Sequence, residues 1–205
     1  MLNNNFILVV SGPSGAGKST IVNLFLQEVD NFALSVSYTT RKKREYEIEG
    51  VHYYFVTEED FLKMVENNEF VEWANVFGNY YGTAKKEIER ILRNDKNILL
   101  EIDVQGALSV KKNFPEQTVL VFILPETFNE LKSRLAGRNT ENQDELLKRI
   151  KTAEREIKQI NFYDYVIINK RGCEKESVQV LKAISKVEEI KVKRFWDNYK
   201  ELFWR

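Results

Sequence analysis

Apolar residues along this chain fall into short, unbroken runs separated by stretches in which they recur every three or four positions. Phe6-Ile7-Leu8-Val9-Val10 is such a run, closed by Ser11-Gly12, and it reads as a strand buried on both faces. Three further runs follow at 97–102, 118–124 and 165–168. Helical spacing predicts helices over 18–29, 104–112, 127–135, 146–160 and 175–192. Buried strands alternating with helices imply an α/β domain, a mostly parallel sheet flanked by helices. Two stretches break the alternation. Residues 33–83 carry short strand signals rich in Tyr, Val and Thr around a helix at 58–67, as an inserted α+β lobe would. Residues 136–146 place Gly137 and a polar loop between two charged helices, so 136–159 is a candidate helical lid. The core then comprises 1–32, 84–135 and 160–205. No repeat or Pro/Gly-rich linker divides 1–205, so these are lobes of a single domain.

Composition narrows the class. With 205 residues, 43% hydrophobic and 30% charged, the chain suits one full core and neither disorder nor a fibre. Thirty-one Lys+Arg balance 31 Asp+Glu, which disfavours a nucleic-acid coat and requires any bound polyanion to be gripped by a few placed cations. Cys173 is alone and has no partner for an internal disulfide, which suits a reducing compartment. The early apolar run is too short to span a bilayer and lacks a basic flank before it, so a cytoplasmic protein without membrane contact is expected.

Glycines carry the first chemistry. Gly12-Pro13-Ser14-Gly15-Ala16-Gly17-Lys18-Ser19 matches G-x-x-x-x-G-K-[ST], after a strand signal and before a helix signal. Glycines allow successive backbone N–H groups to converge on phosphate oxygens at a helix N-terminus. Lys18 supplies a point charge to the β- and γ-phosphates, and the Ser19 hydroxyl can ligate Mg²⁺. The motif is shared by ATPases, GTPases and small-molecule kinases. A GTP switch is disfavoured, because Asn169-Lys170-Arg171-Gly172 begins like a base-reading Asn-Lys-x-Asp but lacks the aspartate.

A second cationic stretch lies in the expected lobe. Ser37-Tyr38-Thr39-Thr40-Arg41-Lys42-Lys43-Arg44 packs four cations, and Tyr53, Glu72-Trp73 and Tyr80-Tyr81-Gly82 occur nearby in sequence. By itself such a run reads as a solvated basic loop. Arginine forks suit bidentate phosphate binding, and tyrosine hydroxyls can donate to the remaining oxygens.

Taken together, Gly12–Thr20, Ser37–Arg44, the 69–74, 78–83 and 102–106 blocks resemble guanylate kinases, in order, over about residues 5–185. The resemblance implies a P-loop enzyme that moves the γ-phosphoryl of ATP, with Mg²⁺, onto GMP in guanine nucleotide recycling. It places ATP on Gly12, Pro13, Ser14, Gly15, Ala16, Gly17, Lys18, Ser19 and Thr20, with Asn169 at the adenine. It places the GMP phosphate on Arg41, Arg44, Tyr53 and Tyr81, and guanine on Glu72 and Ser37. A carboxylate accepts only, and guanine offers N1–H and its 2-amino group on one edge, so Glu72 suits guanine and opposes adenine. Asp103 falls where a Walker-B-like acid belongs, to hold Mg²⁺ through water or to orient the acceptor phosphate. Glu101 stands where the family commonly has aspartate. Arg134, Arg138 and Arg149 are placed as lid arginines reaching the transferring phosphate, though the bare sequence also permits solvated helix surface. Lys43 and Tyr46 depart from the family's proline and glycine.

Phosphoryl transfer needs positioning and cations, so neither His52 nor Cys173 is expected to be catalytic. At the end of the chain Phe195, Trp196, Tyr199, Leu202 and Phe203 recur at helical spacing, either packing on the core or forming an oligomer contact. The rivals are a kinase for another nucleoside monophosphate, an ATPase coupled to movement, and a catalytically inactive guanylate-kinase-like module that binds phosphopeptides.

Overall fold

The structure, a computed structural model, describes residues 5–76, 78–137, 143–194 and 196. Strand β1 (Ile7–Ser11) lies at the centre of a five-stranded parallel sheet. Its neighbours are β7 (Asn97–Glu101) and β8 (Thr118–Leu124), and the outer strands are β2 (Phe32–Leu34) and β9 (Tyr165–Ile168). Alternation along β1 divides the core in two. Phe6, Leu8 and Val10 pack with Val22 and Phe25 of α1 (Lys18–Glu28) and with Val178 and Leu181 of α7 (Glu174–Glu189). Ile7 and Val9 face the other way, onto Ile88 and Ile91 of α3 (Lys85–Leu92) and Ala107 and Val110 of α4 (Val104–Asn113). A strand covered on both faces can be continuously apolar, which is why its sequence shows no alternation.

A second sheet, ordered β4-β3-β6-β5, is built from β3 (Tyr38–Thr39), β4 (Tyr54–Phe55), β5 (Phe70–Val76) and β6 (Asn79–Ala84). It packs Tyr38, Phe70 and Ala84 on Phe61 of α2 (Glu58–Glu66), a separate small core. Thr57 caps that helix by accepting from Asp60 N–H at 3.1 Å. Helices α5 (Phe128–Ala136) and α6 (Gln143–Ile157) join through Leu131, Leu135 and Ala153.

Two differences from the sequence reading stand out. Strand β2 continues to Leu34 within the main sheet, pairing Ala33 with Ile98 and Leu34 with Leu99, so the second sheet begins only at Tyr38. Helix α3 is absent from the periodicity because Ile88, Ile91 and Leu92 are the only apolar residues among eight. Of the C-terminal aromatic series only Trp196 falls among the described residues, at 41% exposure; Phe195, Tyr199, Leu202 and Phe203 lie outside them, as does Arg138. Among the described residues no helix is long and apolar enough to cross a membrane.

Candidate functional site

Parallel pairing places the carboxyl ends of β1, β7, β8 and β9 along one edge, as the registers Val10↔Glu101, Ser11↔Phe122 and Leu124↔Ile168 show. The Gly12–Ser19 loop, Glu101, Asp103 and Asn169 therefore gather there, where open α/β sheets bind ligands. Gly12, Gly15 and Gly17 all adopt positive φ, at 137°, 85° and 90°. A Cβ on Gly12 would overlap the Ile123 carbonyl of β8, so the loop lies directly on the sheet. Gly17 is the residue before α1, and leaves the first turn of that helix without a side-chain cap. Lys18 Nζ donates to the carbonyls of Gly12 at 2.7 Å and Pro13 at 3.2 Å, bringing its charge across the loop. Ser19 Oγ donates to Glu101 Oε1 at 2.6 Å, which sets two hard oxygen donors at the loop's mouth.

Across from the loop, Glu72 of β5 is 5% exposed and pairs in register with Thr83 of β6, whose hydroxyl donates to Glu72 Oε1 at 2.6 Å. Burial pushes its carboxyl up to about 7, the Asp103 charge adds to the rise, and the Thr83 bond opposes it. Asp103 caps α4, its Oδ1 accepting from Gly106 N–H at 2.8 Å. It is raised in turn by burial, with those backbone bonds and Lys18 opposing. The Asp-x-x-Gly spacing has a second use: a Cβ on Gly106 would sit 2.6 Å from Glu72 Oε2. The glycine makes room for the carboxylate of the other lobe.

The basic stretch is organised by a residue the sequence did not single out. Glu47, 5% exposed, accepts from Arg41 Nη2 at 2.6 Å, from Arg41 Nη1 at 3.1 Å and from Arg44 N–H at 2.8 Å. Burial alone would raise its carboxyl, and these bonds instead hold it below the usual range. Arg41 lies 5.4 Å from the Tyr53 ring, and Tyr53 packs edge-on against Tyr81 at 5.9 Å. Burial pushes the Tyr53 hydroxyl far up, keeping it a donor. Arg44 Nη1 bonds the exposed Tyr46 hydroxyl at 2.9 Å, and Ser37 is buried between these elements. Glu47 was visible only as the middle acid of Glu45-Tyr46-Glu47-Ile48-Glu49; its burial goes with Arg41 bonding both of its oxygens.

The nucleotide-side residues are placed differently from one another. Arg149 is half-buried on α6. Seven residues further along the same helix, and so on the same face, Glu156 has its carboxyl pushed up to about 7 by burial. Lys18 opposes that rise and Asp103 adds to it. Arg134 donates through Nε to Glu130 at 2.8 Å and through Nη2 to the Asn169 carbonyl at 3.0 Å. Asn169 is 1% exposed, and its amide donates to the Ala16 carbonyl at 2.8 Å. His52 is exposed and accepts from Ile48 N–H at 2.9 Å, a local turn contact.

A phosphate loop at the carboxyl edge of a parallel sheet, faced by a lobe carrying its own buried acid and paired arginine, defines a P-loop phosphotransferase of the NTPase-type α/β fold. Comparisons specify it further. The family model described as guanylate kinase matches residues 4–187. The guanylate kinase of Clostridium acetobutylicum is 44% identical over 198 residues, covering 97% of this chain and 93% of that protein. That of Clostridioides difficile is 46% identical over 189 residues, covering 92% and 91%. The crystal structure of guanylate kinase from Anaplasma phagocytophilum superposes with a TM-score of 0.77 at 37% identity, covering 93% of this chain and 89% of the other. The chain belongs to the guanylate kinase family.

Proposed function

We infer that this chain catalyses ATP-dependent phosphorylation of GMP, giving ADP and GDP, with the two nucleotides held on opposite sides of the cleft between the lobe of the second sheet and the core. The observation that carries the reading is Glu72: a buried carboxylate from the lobe, held by Thr83 and set beside Asp103 across Gly106. An acceptor-only group at that place suits the N1–H and 2-amino edge of guanine. Ser37, buried just before β3, acts with Glu72 on the guanine. Arg41, aimed by Glu47, acts with Arg44, Tyr53 and Tyr81 on the GMP phosphate. The Gly12–Thr20 loop cradles the ATP triphosphate, and Lys18 shifts from the loop carbonyls to the β- and γ-phosphates.

The acceptor phosphate oxygen attacks the γ-phosphorus as the bond to the β,γ-bridging oxygen breaks, and that electron pair leaves with ADP. No residue has to form a covalent bond, so the protein acts by alignment and charge. Arg149, and Arg138 beyond the described residues, balance charge on the transferring group from the 136–159 segment, and Asp103 steers the acceptor phosphate. The Ser19–Glu101 oxygen pair fits Mg²⁺, which takes few protein oxygens and completes its shell with phosphate and water. Bound there, the ion would neutralise charge on the β- and γ-phosphates.

A coupled ADP-release assay with GMP, AMP, dTMP and CMP as acceptors tests the assignment. GMP-dependent turnover is expected. Turnover of AMP with none of GMP would overturn it.

A further inference from the structure

The carbonyl oxygen of Ala16, inside the phosphate loop, is held by two side chains from outside it. Asn169, 153 residues further along the chain, donates to it through Nδ2 at 2.8 Å, and Arg134 Nη1 reaches it at 3.4 Å. Arg134 Nη2 bonds the Asn169 carbonyl at 3.0 Å, so the three groups close a ring. Each member is anchored from behind. Ser177 of α7 donates to Asn169 Oδ1 at 3.3 Å, which turns the NH₂ end of the amide toward Ala16, and Glu130 accepts from Arg134 Nε at 2.8 Å. The Asn169 side chain also occupies the space that a Cβ on Gly17 would need. Gly17 and Asn169 are thus a matched pair, one without a side chain because the other lies against it.

A peptide group is planar, so fixing the Ala16 carbonyl also fixes the direction of the Gly17 N–H on the opposite side of the same peptide. Phosphate binding by such a loop depends on where its N–H groups point. We propose that Asn169 and Arg134 are positioning residues that lock the Ala16–Gly17 peptide, and so aim the Gly17 N–H at the triphosphate. Asn169 is 1% exposed, so its amide is held in place by the groups around it. The inference rests on the loop being the triphosphate site, and on nothing about the acceptor.

Asn169→Ala, Ser177→Ala and Arg134→Met test it, with inorganic tripolyphosphate as the binding probe and ATP and ITP as alternative phosphoryl donors. Asn169→Ala is expected to weaken tripolyphosphate binding measured by calorimetry. It should also lower kcat/KM for ATP and ITP by the same factor, on the order of 10²-fold, because small misplacements in positioned sites cost that much. KM for GMP should stay within about twofold. Ser177→Ala frees the amide to turn and should give a smaller loss with the same pattern. Because Asn169 and Arg134 share one acceptor, the double variant should lose less than the product of the single losses. Unchanged tripolyphosphate affinity would overturn the proposal. So would a loss confined to ATP with ITP spared, which would make Asn169 a reader of adenine. Should Asn169→Ala not fold, judged by its thermal melt, Ser177→Ala decides by the same two readouts. Wild-type protein lacking GMP-dependent ADP release would sink the kinase assignment, while the tripolyphosphate arm would still report on the loop.

Discussion

Glu72, proposed above as the guanine reader, is a residue whose burial costs stability. Its carboxyl holds its proton up to about 7 when folded, against 4.5 in an ordinary setting, because burial penalises the charge. Between those values the native state binds more protons than the unfolded one, so stability falls as pH rises through the window. By pH 8 the loss is on the order of 3 kcal/mol. Glu72→Gln keeps the shape and removes the charge. Thermal melts should therefore show the variant more stable than wild type at pH 8, with no such advantage at pH 4. The same change puts a donor where guanine N1–H needs an acceptor, and kcat/KM for GMP should fall at least about 10²-fold. In wild type, kcat/KM for GMP should decline as pH drops below about 7 and the carboxylate is lost. Equal GMP kinetics in Glu72→Gln would refute its role. Glu47 poses the complementary case, since it is held below its usual range by Arg41 and the Arg44 N–H. Glu47→Ala leaves Arg41 unaimed and is expected to raise KM for GMP about tenfold with a smaller change in kcat. In the sequence Glu72 stands out within Phe70-Val71-Glu72-Trp73-Ala74, whereas Glu47 is one of three alternating glutamates with nothing to distinguish it. Their opposite shifts come from their surroundings: burial, with the Asp103 charge added, raises Glu72 against the Thr83 bond, whereas the bonds from Arg41 and Arg44 overcome burial at Glu47.

At the scale of elements, the phosphate loop is only as well formed as the strands beneath it. Gly12 takes φ 137° with the β8 backbone at Ile123 directly against it, and a strand in mid-sheet has no room to retreat. Gly12→Ala should cost at least about 2 kcal/mol in chemical denaturation and abolish ATP binding. Gly78→Ala supplies the contrast. Its φ is 81° but nothing lies within 4 Å of the added carbon, so the cost should be about 1 kcal/mol with kinase activity retained. Equal losses for the two would mean that backbone conformation alone, without the contact to β8, sets the requirement. The strands β1, β7 and β8 were legible as apolar runs because each is buried between layers; β9 was legible too, although at the sheet edge only Ile167 is buried while Val166 and Ile168 stay half-exposed. Helix α3 was not, because eight residues with three apolar positions give too little period to see. The end of β2 was also hidden: Ala33 and Leu34 belong to the main sheet by virtue of Ile98 and Leu99, some 65 residues away.

For the whole molecule, equal numbers of cations and anions conceal local concentrations, with Lys18 at the loop and Arg41 to Arg44 in the second sheet's lobe. Glu72, Asp103 and Glu156 oppose that charge, all three raised chiefly by burial. Nucleotides that bring their own phosphates should draw the lobe of the second sheet toward the core and expel water, which protects ATP from hydrolysis. A bisubstrate analogue joining adenosine and guanosine phosphates is expected to reduce the radius of gyration seen by small-angle scattering. Identical profiles with and without it would count against closure.

The phosphate loop, the alternating strand–helix order and the family blocks can all be read from residue order alone. Each is a local pattern: glycines at set spacing, or apolar residues at the period of one element. Only the tertiary structure decided which of those residues act as a unit. Asn169 reaches Ala16 across 153 positions, Glu72 settles against Gly106, and Glu47 disappears beneath Arg41. Parallel crossovers carry such groups to one edge of the sheet, and burial, direction and proton affinity arise only once they have met there.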